Sequence, residues 1–88
     1  MSANPEISST IERFIRTQFG VTEGDRDFSR DVHIFDYGYV DSFGAVTLTE
    51  FVESTFHVKI SNSDLMIHPM NTVNEIAVFV EQRQDGRI

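Results

Sequence analysis

Residues 35–60 read FDYGYVDSFGAVTLTEFVESTFHVKI. Most of the stretch has helical period. At 100° per residue Ala45, Leu48, Phe51, Val52 and Phe56 fall on one broad side, which predicts a helix from Ser42 to Phe56 with that side in the core. Asp41 and Ser42 stand where the loop becomes helix, and either side chain suits an N-cap. Ser42 itself points away from the core side, with Phe43, Val46, Glu50 and Glu53 on or beside its own side. Two apolar residues placed off the core and rimmed by acids break an otherwise regular amphipathic pattern, and such breaks mark functional sites. Beyond Phe56, Val58 and Ile60 alternate with polar residues.

Working outward toward the N-terminus, residues 20–41 show no sustained period. Val21, Phe28, Ile34 and Phe35 are apolar anchors there, so a long loop packed across the fold is expected. Before it, Asn4-Pro5-Glu6 is a helix-start signature. Ile7, Ile11, Phe14 and Ile15 continue as a buried stripe, and Gly20 is a natural stop. Toward the C-terminus, Ser61-Asn62-Ser63-Asp64 has capping-box spacing and predicts a short turn through Leu65 and Met66, ended by Pro69. Thr72-Val73-Asn74-Glu75 reads as a clearer box, leading into a last helix whose stripe is Val73, Ile76, Ala77 and Val80. The expectation is an all-α fold: a small four-helix bundle with three main helices, one short helix and a long first loop. Residues 1–88 form a single domain in this reading, with an ordered core over about 5–82 and frayed ends.

Composition narrows the function. Hydrophobic residues make up 40% of the 88, enough for one small core. Fourteen acids against seven Lys and Arg give a net charge of -7, which argues against a nucleic-acid partner. No cysteine is present, excluding disulfides and thiolate metal sites. The start, MSANPEISST, predicts neither a signal peptide nor an anchor, and no apolar run is long enough for a membrane span. A soluble, cytoplasmic protein is expected.

Three rival chemistries around Ser42 and the loop read poorly. A serine-hydrolase elbow needs glycine two residues either side of the serine; Gly44 fits but Val40 does not. Asp25 to Asp31, with Asp36 at the twelfth place, partly imitates a calcium loop, yet Arg30 occupies the glycine position. His33, His57 and His68 lack the spacing of a helical metal site, so no metal is expected. Two readings remain. In one, Ser42 is a cap and the chain is a small acidic helical interaction module without a prosthetic group. In the other, Ser42 is a modification site.

The same stretch resembles the central motif of acyl and peptidyl carrier proteins. That motif has a loop ending in Gly-x-Asp-Ser-Leu or a close variant, then an amphipathic helix and a Phe-x-hydrophobic-x-Ile/Leu exit. Phe35, Gly38, Asp41-Ser42 and Phe56-x-Val58-x-Ile60 occupy the corresponding places, with Phe43 where leucine is usual. The order of helices agrees over nearly the whole chain. The resemblance implies a stand-alone, monomeric carrier that is not an enzyme and has no catalytic residues. A phosphopantetheinyl transferase would attach 4'-phosphopantetheine from coenzyme A to Ser42, and the arm would hold an acyl or aminoacyl group as a thioester. Asp41 would position the helix start. Phe43, Val46, Glu50 and Glu53 would dock partners such as an adenylating ligase or enzymes of acyltransferase or ketosynthase type. Thr47, Thr49 and Ser54 replace the dense acids of fatty-acid carriers. A specialised polyketide, nonribosomal peptide or aminoacyl-transfer pathway is therefore expected over housekeeping fatty-acid synthesis. Gly44, unfavourable in a helix by up to about 1 kcal/mol, is expected to clear space beside the arm.

Overall fold

The computed structural model describes residues 4–86. It contains four helices: α1 (Pro5–Gln18), α2 (Ser42–Phe56), α3 (Asn62–Ile67) and α4 (Val73–Gln84). No strand occurs among the described residues, so the architecture is the all-helical bundle expected. Of the ends expected to fray, on either side of about 5–82, residues 1–3 and 87–88 lie outside the described residues, while α4 runs on to Gln84.

Local chemistry accounts for most boundaries. Asn4 caps α1, its Oδ1 accepting the Glu6 N–H at 2.9 Å, and Pro5 follows at the first helical position. Helix α1 ends at Gln18, and Gly20 turns the chain with φ +67°. No glycine or proline announces the end of α2. There His57 takes the left-handed conformation, φ 56°, and its N–H donates to the Glu53 carbonyl. The two capping boxes exchange rank. Ser61 and Asp64 close a complete reciprocal box on α3, with Asp64 N–H to Ser61 Oγ at 3.1 Å and Ser61 N–H to Asp64 Oδ2 at 2.9 Å. At α4, Thr72 accepts the Glu75 N–H at 3.0 Å, but the Glu75 carboxylate reaches one residue further and takes the Asn71 N–H at 2.9 Å.

The core lies between α1, α2, α4 and the long loop. Ile7, Ile11 and Ile15 from α1 meet Val73, Ile76, Ala77 and Val80 from α4, and α1 with α4 is the closest-packed helix pair. The buried line of α2 is narrower than its apolar stripe. Gly44, Leu48 and Val52 are buried, whereas Ala45, Phe51 and Phe56 are half-buried. Phe51 instead stacks on Phe14, with ring centroids 3.8 Å apart.

The loop does pack across the bundle. Phe28, Val32, Ile34 and Val40 are buried in the same core, while Val21 and Phe35 pack at its edge. Its backbone is tied to the start of α4, with Ile34 N–H to Asn71 O at 2.9 Å and Asn74 N–H to Arg30 O at 3.0 Å. The stretch that partly imitates a calcium loop has another use. Asp25 Oδ1 accepts the N–H groups of Asp27 and Phe28, at 2.8 and 3.2 Å, and the Tyr39 hydroxyl donates to the same carboxylate at 3.0 Å. Arg30 and Arg16 both bind Glu12, at 2.7 and 2.9 Å. Loss of water around the Tyr39 phenol, then its bond to Asp25, pushes its pKa up to about 12.

Candidate functional site

The loop delivers the chain to α2 in a fixed direction. Val40 is buried and its N–H donates to Ile34 O at 3.1 Å, one residue after the Tyr39–Asp25 bond. Asp41 is then extended, and its Oδ1 accepts the Gly44 N–H at 2.7 Å while its carbonyl accepts Ala45 N–H at 2.8 Å. Asp41 is therefore the cap, which releases Ser42 from that duty.

Ser42 is exposed at the first position of α2. Among the described residues its hydroxyl bonds to no protein group, and the N–H groups of Ser42 and Phe43 find no protein acceptor. Three of the other hydroxyls along α2 turn back onto the helix, Thr47 to Phe43 O at 3.3 Å, Thr49 to Ala45 O at 2.8 Å, and Ser54 to Glu50 O at 3.0 Å, and only Thr55 near its far end does not. Helices α1, α3 and α4 carry an acid in their first turn, namely Glu6, Asp64 and Glu75, but α2 has none. Two free N–H groups at the positive end of the helix favour a phosphate ester on this hydroxyl, beside the single carboxylate that Asp41 already places there. The residues present thus fit a group attached through phosphate.

Beside Ser42 lies an apolar surface. Phe43 is 86% exposed and Val46 60% exposed, so both stand off the core as expected. Glu50 is exposed at the edge of this patch. Glu53 is half-buried and differently engaged: its Oε2 accepts the Ile60 N–H at 2.8 Å, tying down the turn after α2. Apolar exposure also extends beyond α2, further than the sequence indicated. Leu65, Met66 and Ile67 on α3 are exposed, Met66 by 87%. A signal for them was present: three successive apolar residues follow a capping box on a turn too short to bury them all. Between α2 and α3 lies a cavity of about 480 Å³ whose walls include Phe35, Val46, Leu65, Met70 and Ile76.

Gly44 corrects one expectation. It is buried, and a Cβ there would lie 2.7 Å from Phe19 Cε1 and 3.0 Å from Val40 Cγ1. The glycine makes room for the end of α1, on the core side of α2 and away from Ser42. The physical reason is helical phase, since residues 44, 48 and 52 share one line.

With this geometry in view, comparison with known proteins is informative. Residues 9–80 match the family model for the phosphopantetheine attachment site. The chain is also similar to the D-alanyl carrier proteins of Streptococcus pyogenes serotype M5 (strain Manfredo) and serotype M1. Each is 39% identical over 66 residues, covering 68% of this chain and 84% of the relative.

Proposed function

This chain belongs to the phosphopantetheine attachment-site family, and on that premise we propose that Ser42 is the attachment point and that the cargo is an aminoacyl group. As a member it is a carrier and not a catalyst, and its prosthetic group is covalent 4'-phosphopantetheine. The arm supplies a terminal thiol that carries the cargo as a thioester. No helix among the described residues is long and apolar enough to cross a membrane.

The observation that carries the assignment of Ser42 is its free, exposed hydroxyl at a helix start already capped by Asp41. In this reading Ser42 Oγ forms the new P–O bond and loses its proton, and the P–O bond joining coenzyme A's pantetheine phosphate to adenosine 3',5'-bisphosphate breaks. Asp41 holds the first turn so that the hydroxyl faces the transferase. Phe43 and Val46 form the apolar part of the docking face, Glu50 its charged edge, and Glu53 contributes there mainly by fixing the turn at Ile60. The transferase and an adenylating ligase are the partners, in the cytoplasm. An aminoacyl cargo is favoured over a fatty-acyl one by the uncharged Thr47, Thr49 and Ser54 on α2, and by relatives named as D-alanyl carriers.

The test uses the purified protein with coenzyme A and a broad-specificity phosphopantetheinyl transferase. Mass spectrometry of the 31–59 peptide should show one added arm, absent in Ser42→Ala. An unmodified wild-type peptide, or an arm persisting in the variant, would overturn the site. The loaded protein is then offered amino acids with ATP and an adenylating ligase, or fatty-acyl donors with an acyltransferase. Loading by the second route alone would overturn the aminoacyl assignment.

A further inference from the structure

Helix α3 has six residues and none is buried. A helix this short is unstable alone, and apolar burial of its own residues does not explain its position. Asp64 does. Its Oδ2 accepts both the N–H and the hydroxyl of Ser61, each at 2.9 Å, and its Oδ1 accepts Arg83 Nη2 at 2.6 Å. One carboxylate therefore caps α3 and moors it to the last turn of α4. Arg83 reaches further still: Nη1 donates to Lys59 O at 3.4 Å, and its guanidinium lies 4.9 Å from the centre of the Phe79 ring. Its Nε is buried with no protein partner. The side chains of Arg83 and Asp64 are only 25% and 14% exposed, so solvent screens this bridge less than a surface pair. The bonds from Ser61 and then Arg83 hold Asp64 below the ordinary carboxylate range, against the opposing pull of desolvation.

We propose that the Arg83–Asp64 bridge sets the position of α3, and with it the Leu65–Met66 part of the docking face and the mouth of the α2–α3 cavity. Arg83, in the last turn of α4, is thus a positioning residue for partner recognition. The mooring stands on geometry alone, whereas its effect on recognition rests on the carrier reading above.

Hydrogen exchange on the unmodified protein tests the mooring. Arg83→Met keeps the aliphatic stem and removes the charge. The amides of Leu65 and His68, which donate to Ser61 O and Asp64 O at 3.2 and 2.8 Å, should exchange about tenfold faster in this variant. Core amides at Ile11 and Val80 should hold their rates, and Arg83→Lys should recover part of the protection. Unchanged exchange in α3, or an equal rise at Ile11 and Val80, would overturn the mooring. With arm-loaded protein and an adenylating ligase, Arg83→Met should raise KM for the carrier about threefold or more at constant kcat. A loosened α3 with unmoved KM would overturn the recognition half. Failure of the carrier reading itself would appear elsewhere, as a wild-type Ser42 that accepts no arm.

Discussion

Helix α1 buries Ile7, Ile11 and Ile15 against α4, whereas α3 buries none of its six residues and turns Leu65, Met66 and Ile67 outward. Helix α2 belongs to both worlds. Its Gly44–Leu48–Val52 line joins the core, and its Ser42–Phe43–Val46 side faces away from it. Apolar side chains thus divide within one small chain: burial holds α1 and α4 together, and the exposed set is the surface proposed above to meet partners. The comparison separates residues whose loss should unfold the protein from residues whose loss should leave it folded and poorly recognised.

The largest expected effect falls in the buried half. Ile11 is fully buried between α1 and α4, and truncation removes three methyl or methylene groups and leaves a cavity. Ile11→Ala should cost about 2–5 kcal/mol, read as a lower urea midpoint at unchanged m-value. In so small a domain that is a large share of total stability. A loss below about 1 kcal/mol would mean that the α1–α4 pair collapses around the gap, and the contrast with α3 would weaken.

Gly44→Ala probes the point where the two halves meet. Alanine favours a helix over glycine by up to about 1 kcal/mol, so propensity alone predicts stabilisation. Packing opposes it. The new Cβ would meet Phe19 at 2.7 Å and Val40 at 3.0 Å. The Phe19 ring cannot withdraw freely, because it stands edge-on to Phe14, which stacks on Phe51. Overpacking of this kind costs about 1–3 kcal/mol, so a net loss near 1 kcal/mol is expected. Phe19→Leu in the same chain should relieve part of it. A stabilised Gly44→Ala would show that α2 can lift away from α1 without penalty.

What the sequence disclosed, and what it hid, follows the range of the interactions. The start of α1, the boxes on α3 and α4 and the stripe of α2 were legible because caps and period depend on neighbours three or four residues away. Ser42, Phe43 and Val46 were legible for the same reason, as departures from one helix's pattern. Val32 and Val40 went unrecognised as core residues, since a loop without period gives no phase to read. Gly44 was misjudged because its reason is Phe19, brought near by the packing of α1 on α2. Glu53 read as a surface acid, yet its partner is the backbone of Ile60, beyond the helix end. Asp64 read only as a cap, and its second bond, to Arg83, spans 19 residues.

The smallest expected effect on stability lies at Phe43, and it separates the two sets most cleanly. This ring is 86% exposed, so Phe43→Ser removes little buried area. Serine near a helix start is also acceptable to the backbone. Stability should change by no more than about 0.5 kcal/mol, measured by urea denaturation beside wild type. The same variant should raise the adenylating ligase's KM for the arm-loaded carrier severalfold, since an exposed aromatic at the centre of a docking patch is the residue type that contributes most to such contacts. A destabilised Phe43→Ser would place the ring in the fold and shrink the functional surface to α3. A stable variant with unchanged KM would leave the exposed apolar face without a task at its centre. Only a stable chain with weakened recognition supports the division between α2's buried line and its outward side.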